Sequence, residues 1–299
     1  MKLHIFNPEN DMALASGSPG YTPPANIREY RRRNRFLPRL WAEPGDVVWD
    51  GEECLAHLFA DEAAVPEICP WGWSPALVHE LSVAGVPQCH LPDKEWLGRL
   101  RCLSGRESTV PLQQEWGLEV CACHSLGDIE RCVERWGRVM MKSPWSCSGK
   151  GLMQTDNPNW QGWARRTLAA QGAVVVEQLV ERRLDFAMEF RMSSGVAEYV
   201  GLNVFRTDAH GHFVENVKPH GQGNVSLVTS LLHRPEALSE VCAWYLHRLP
   251  RLAPWYNGPV GVDMMVTGDG GLHPCVEINW RMTMGMAEVR NGGTFILVK

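Results

Sequence analysis

The stretch Val260-Gly261-Val262-Asp263-Met264-Met265-Val266 leads through Gly268-Asp269-Gly270-Gly271 to His273-Pro274-Cys275-Val276-Glu277-Ile278-Asn279, and it reads as a β-hairpin. Two apolar-rich runs flank a glycine-rich turn. Glu277 and Asn279 are two residues apart, so on a strand they share a face, and Asp263 can lie opposite them across the hairpin. Two carboxylates and an amide oxygen converging on one face are hard oxygen ligands of the kind magnesium takes together with substrate phosphates. Acidic residues pointing inward beside Val260, Val262, Val276 and Ile278 would be costly without a cation.

Two stretches upstream add to this reading. Lys142-Ser143-Pro144-Trp145-Ser146-Cys147-Ser148-Gly149-Lys150-Gly151 places a lysine at a strand end and a second lysine in a small-residue loop. Glycine and serine let backbone N–H groups approach phosphate oxygens, and the lysines supply charge. The spacing is not that of a Walker A loop, and taken alone such a loop also reads as an ordinary hairpin turn. Ala173-Val174-Val175-Val176-Glu177-Gln178-Leu179-Val180 is the most strand-like run in the chain. Its end can offer backbone groups to an adenine edge and a carboxylate to the exocyclic amine, or be a plain strand end with a solvated glutamate.

Around these lie 299 residues, material for about two domains at roughly 150 residues each. The N-terminal third alternates strands (Leu3–Phe6, Asp46–Trp49, Ile68-Cys69) with a helix opened by Ser74-Pro75 and stopped at Gly85, which predicts a small parallel α/β unit. From about residue 110 the pattern becomes α+β: a helix over Gly127–Trp136, strands over Arg138–Pro144 and Gly151–Thr155, and an antiparallel meander over Asp185–Lys218. A helix over Pro235–Leu249 precedes the hairpin. A net charge of −5 excludes the protein-wide cationic field that draws a chain onto nucleic acid or an anionic membrane. The basic run Arg28–Arg35 accordingly reads as a solvated helix face. No apolar run approaches the roughly 20 residues that span a bilayer, and the start of the chain is too short in apolar residues for a signal peptide; the expectation is a cytoplasmic protein. Ten cysteines include no C-x-x-C pair; Cys121-Ala122-Cys123-His124 is the nearest approach to a metal cluster, and reduced thiols are the expected reading.

In this order the motifs resemble the ATP-grasp superfamily, over roughly Leu91 to Gly285. The resemblance implies an α/β and α+β fold: an N-terminal doubly wound (pre-ATP-grasp) lobe over residues 1–105, an ATP-grasp small lobe with the phosphate loop over 106–184, and a C-terminal lobe with the metal site over 185–299. It implies nucleotide contacts from Lys142, Ser148, Gly149, Lys150 and Gly151. Glu177, Gln178, Leu179 and Val180 would form the adenine hinge, and Asp185 would hold the ribose hydroxyls. Asp263, Glu277 and Asn279 would be the metal ligands. An earlier basic residue, Lys94 or Arg99, would also touch the nucleotide, and Lys218 matches a phosphate-contacting lysine. Two positions depart from the pattern: Gly261 stands where some ligases carry an arginine, and Trp280 replaces the family's proline.

The activity so implied is that of a Mg-ATP-dependent, ADP-forming carboxylate–amine ligase acting through an acyl phosphate. Lys150, Lys218 and Arg281 would be its catalytic side chains. Arg281 follows Asn279 by two residues and is expected to face the same cleft, where it can hold a carboxylate bidentately. A kinase-like phosphotransferase of the same fold and a non-catalytic ATP-binding sensor are the alternatives. The expected cofactors are ATP and Mg2+, with Mn2+ as a variant. The expected partners are small-molecule carboxylate and amine substrates, with no nucleic acid or membrane and with a homodimer left open. Asn7-Pro8-Glu9-Asn10-Asp11 reads either as a substrate loop at a strand's carboxyl end or as a self-satisfied turn. His220, in a glycine-rich segment, lies where the family brings a loop near the triphosphate.

Overall fold

Leu3 and Ile5 are buried on the first strand, β1 (Lys2–Ile5), which sits between two parallel neighbours, β2 (Val47–Val48) and β3 (Glu67–Pro70). The computed structural model describes residues 1–146, 151–208, 213–217 and 222–291. Short helices cover the small parallel sheet: α1 (Asn10–Ser16), α2 (Ala25–Asn34), α3 (Pro75–Val83) and α4 (Lys94–Ser104). Ser74 starts α3 as its sequence predicts, its Oγ accepting the Leu77 N–H at 3.2 Å ahead of a proline in the first turn. Leu77 and Leu81 then turn inward onto Leu3, Ile5 and Trp49. The polar stretch Asn7–Asp11 is only half a loop. Asn7 ties itself to the next strand end, donating to the Gly72 carbonyl at 2.7 Å, and α1 begins at Asn10 because Ala13 and Leu14 have a core to enter.

After α5 (Val110–Glu115) the second sheet runs β4 (Val120–Cys123), β5 (Val139–Lys142), β6 (Leu152–Gln154) and β7 (Val174–Gln178), in the order β4-β7-β5-β6 and antiparallel throughout. Helices α6 (Leu126–Trp136) and α7 (Trp160–Gln171) back it. A reciprocal Ser125–Asp128 cap starts α6, and Gly172, at φ +81°, ends α7. Val174, Val175 and Val176 are all buried, which is why this run reads so clearly as a strand.

The third sheet, order β10-β9-β8-β11-β12, is wholly antiparallel: β8 (Arg182–Ser193), β9 (Val196–Thr207), β10 (Phe213–Asn216), β11 (Gly258–Thr267) and β12 (Leu272–Asn279). Helices α8 (Gln222–Leu231) and α9 (Ala237–Leu252) lie on one face. Val260, Val262, Met264 and Val266 of β11 are fully buried there with Phe186, Phe190 and Tyr245. The intervening residues Gly261, Asp263 and Met265 turn to the opposite face. Beyond β12 the chain crosses to the N-terminal sheet, where the Met282 N–H donates to the Trp71 carbonyl at 2.8 Å, and ends its described part with α10 (Met284–Arg290). No helix among the described residues is long and apolar enough to cross a membrane.

Candidate active site

Asp263 and Glu277 are direct cross-strand partners in the β11–β12 register, and Asn279 lies opposite Gly261 two pairs further on. The Asn279 amide donates to Asp263 Oδ2 at 3.2 Å. Burial pushes the Asp263 carboxyl up to about 7, and the charge of Glu277 beside it acts in the same direction. Two acids held together in low dielectric call for a cation. Their oxygens with the Asn279 amide make a hard set suited to magnesium. Among the described residues no group of three or more His, Cys, Asp or Glu is placed to hold a metal ion.

The second sheet faces this hairpin. Lys142, buried at the end of β5, pairs with Glu177 of β7 at 2.5 Å and reaches the Val276 carbonyl at 3.4 Å. Glu177 is thus engaged by Lys142, and Gln113 approaches its other oxygen at 3.4 Å. The Gln178 and Leu179 N–H groups donate to Glu119 and Arg138 carbonyls, both at 2.9 Å. The Val180 N–H, next along the chain, donates no backbone hydrogen bond among the described residues. Gly151 has φ +81°, and a Cβ there would lie 2.1 Å from Ser143 Oγ; its carbonyl accepts the Ser143 N–H at 2.8 Å, closing the base of the loop whose sequence suggests phosphate binding. Ser148, Gly149, Lys150, Lys218 and His220 lie outside the described residues.

Asp185, on β8, accepts from Thr207 Oγ1 at 2.6 Å and has Arg182 at 3.3 Å, while burial pushes its carboxyl up. It opposes Met265, two register positions from Asp263. Arg281 reaches the same cleft: its Nη2 donates to Asn279 Oδ1 at 3.0 Å, and its Nε and Nη2 grip both oxygens of Asp11. Asp11, Ser146, Glu277, Asn279 and Arg281 line one narrow opening.

Two residues at the site are not singled out by the sequence. Arg106, nearly buried, spans the sheets: it donates to Glu277 Oε2 at 3.0 Å, the Ser143 carbonyl at 2.8 Å and Ser146 Oγ at 2.7 Å. Of the basic residues expected to touch the nucleotide, Lys94 opens α4 and Arg99 stacks on Trp255 at 4.4 Å. Leu103-Ser104-Gly105-Arg106 carries no periodic or motif signal that would mark it. The other is Glu189, fully buried on β8 opposite Gly261, accepting from Thr283 Oγ1 at 2.7 Å. Burial pushes it up to about 8. Its four-residue spacing from Asp185 along a strand was a usable signal, because that spacing returns to the same face.

The remaining candidates are engaged elsewhere. Arg31 pairs with Glu9 and Glu80, Arg32 and Arg33 pair with Glu29, and Arg35 bonds its own helix. Cys123 and Cys132 meet as free thiols, Sγ to Sγ 3.8 Å.

A three-stranded parallel unit followed by two antiparallel sheets that face each other across Lys142 and the Asp263–Glu277 pair is the ATP-grasp fold. No protein-family model matches the sequence, and no curated protein matches it. Among solved structures, the chain is similar to a biotin carboxylase–β,γ-ATP complex from Campylobacter jejuni, at 13% identity and TM-score 0.55, covering 99% of this chain and 72% of that one. It is similar to the biotin carboxylase domain of Hydrogenobacter thermophilus 2-oxoglutarate carboxylase with MgADP and bicarbonate, at 13% identity and TM-score 0.53, covering 97% and 68%. It is also similar to N5-carboxyaminoimidazole synthetase from Staphylococcus aureus with ADP, at 11% identity and TM-score 0.51, covering 99% and 78%.

Proposed function

We propose that the chain is a Mg-ATP-dependent, ADP-forming ligase that activates a carboxylate as an acyl phosphate and joins it to an amine. The observation that carries this reading is the in-register Asp263–Glu277 pair with Asn279, facing Lys142 and Arg106 across one cleft. Asp263, Glu277 and Asn279 would hold magnesium, which when bound offsets phosphate charge and polarises the γ-phosphoryl group. Lys142 would turn from Glu177 to the nucleotide phosphates, with Lys150 and Lys218 proposed as further phosphate contacts. Gln178 and Val180 would offer backbone groups to the adenine edge, and Asp185 would take the ribose hydroxyls. Arg281 would exchange Asp11 for the substrate carboxylate and hold it in line. A carboxylate oxygen bonds the γ-phosphorus while the bond to ADP breaks. An amine then attacks the acyl carbon, inorganic phosphate leaves, and the amine loses a proton. Positioning and charge neutralisation supply most of what this chemistry needs from a protein.

The test is ADP release from Mg-ATP with pooled amino acids and small carboxylates, in wild type, Glu277→Ala and Lys142→Ala, with hydroxylamine added to trap the acyl phosphate. Substrate-dependent ADP and hydroxamate, both lost in the two variants, are expected. ADP without hydroxamate would favour a phosphotransferase, and ATP binding without turnover in any pool would overturn the ligase reading.

A further inference from the structure

We infer that the chain carries a second small-molecule site, for a monoanionic aromatic carboxylate, in the cavity between the N-terminal sheet and the far end of the five-stranded sheet. The cavity holds about 360 Å³, within the roughly 300–1,000 Å³ typical of small-molecule sites. It shares no lining residue with the nucleotide cleft. The chain segment after β12 divides the two: Arg281 reaches the cleft, whereas Met282 lines the cavity while its N–H donates to the Trp71 carbonyl at 2.8 Å.

The chemistry of the lining selects the ligand. Trp41 and Trp71 form one wall, their rings 6.5 Å apart and tilted by 53°, and Tyr199 of β9 faces the same space. Such walls favour a planar apolar body. The charges nearly cancel in register pairs. Lys2 lies beside Glu67 in the β1–β3 register, and Arg191 beside Glu198 in the β8–β9 register. His4, at the same lining, is pushed toward its neutral form by burial, and its ring meets Asp46 at 3.1 Å. Arg290, at the end of α10, is left over. It makes no hydrogen bond or ion pair among the described residues; burial and the nearby Arg191 act against its charge, while Cys69, Glu43 and Asp46 act for it. One guanidinium with unused donors beside an aromatic wall matches one carboxylate, which it can hold with two parallel hydrogen bonds.

The test uses the full chain and ligand-observed fluorine NMR with 4-fluorobenzoate and its neutral analogue 4-fluorobenzamide. Saturable 4-fluorobenzoate binding is expected. It should persist at saturating Mg-ATP, weaken about tenfold or more in Arg290→Gln, and be absent for the amide. Trp41→Ala should weaken it as well and carries the same test should Arg290→Gln fail to fold. No saturable binding, equal binding of the amide, full binding to the folded Arg290→Gln chain, or displacement by ATP would each overturn the proposal.

Discussion

Arg281 and Asp11, 270 positions apart in the chain, meet in a two-point ion pair, with Nε to Oδ1 at 2.6 Å and Nη2 to Oδ2 at 2.7 Å. Both side chains are about one-fifth exposed, so the pair is largely shielded from water, and it bridges the first helix to the segment after the β11–β12 hairpin. The guanidinium proposed to hold a substrate carboxylate is already holding a carboxylate of the protein. Asp11→Asn should therefore lower the KM for the carboxylate substrate, because the substrate no longer displaces a charged competitor. The same change should lower stability by about 1.5–3 kcal/mol, as for a lost hydrogen bond to a charged group. Steady-state kinetics with the acid varied, beside denaturant melts, check both; an unchanged KM would refute the exchange.

Asp263→Asn should separate folding from ligand binding. The free chain loses a buried acid held against Glu277, so its melting temperature should stay or rise. The stabilisation by Mg-ATP, about 2.7 kcal/mol at a hundredfold excess over Kd for a competent site, should collapse. Thermal shifts with and without Mg-ATP measure this, and an undiminished shift would remove Asp263 from the metal set.

Glu189 gives a pH signature. Its carboxyl titrates near 4.5 in the unfolded chain and at about 8 in the fold. The unfolded chain releases its proton first, so the stabilising contribution is complete below pH 4.5 and is lost as pH rises through about 8. Asp263, raised to about 7, acts in the same direction. Denaturant midpoints should fall between pH 5 and pH 8.5. Glu189→Gln should flatten part of that slope while keeping the Thr283 contact, and an equal slope would refute the assignment.

Gly261 is where space, not backbone angle, demands glycine. A Cβ there would lie 2.6 Å from Thr283 Cγ2 and 2.9 Å from Glu189 Oε2. Gly261→Ala should cost about 1–3 kcal/mol, the range for overpacking a tight core. The loss should be smaller in the Thr283→Ser background, where that methyl is gone; a double-mutant cycle read by denaturation decides it.

The hairpin was readable because three cues agreed: a glycine turn, apolar alternation, and acids on one face. The register confirms that geometry, with Asp263 directly opposite Glu277. The Gly261 departure also has a physical reason in the structure, since an arginine side chain would occupy the room taken by Glu189 and Thr283. What escaped reading are the groups brought in by tertiary contact alone. Arg106 reaches Glu277 across 171 positions, and nothing in its neighbours announces that. Asp11 was legible only as part of a polar stretch, because its partner lies at the other end of the sequence. The helix start at Asn10 was hidden likewise: Glu9 occupies the cap position without a side-chain capping bond, and Ala13 and Leu14 supply the burial instead.

The crossing of the chain after β12 back onto Trp71 has a consequence for synthesis. A ribosome delivers the N-terminal sheet and the meander long before Arg281 and Met282 emerge, and contacts of such high sequence separation are slow to close. The second sheet can be assembled while the clamp that spans first helix and last hairpin is still missing. A nascent chain halted before Trp280 would present a half-built cleft with Asp11 unpaired, so pulse-labelled intermediates should acquire protection last at the junction of the chain's two extremities.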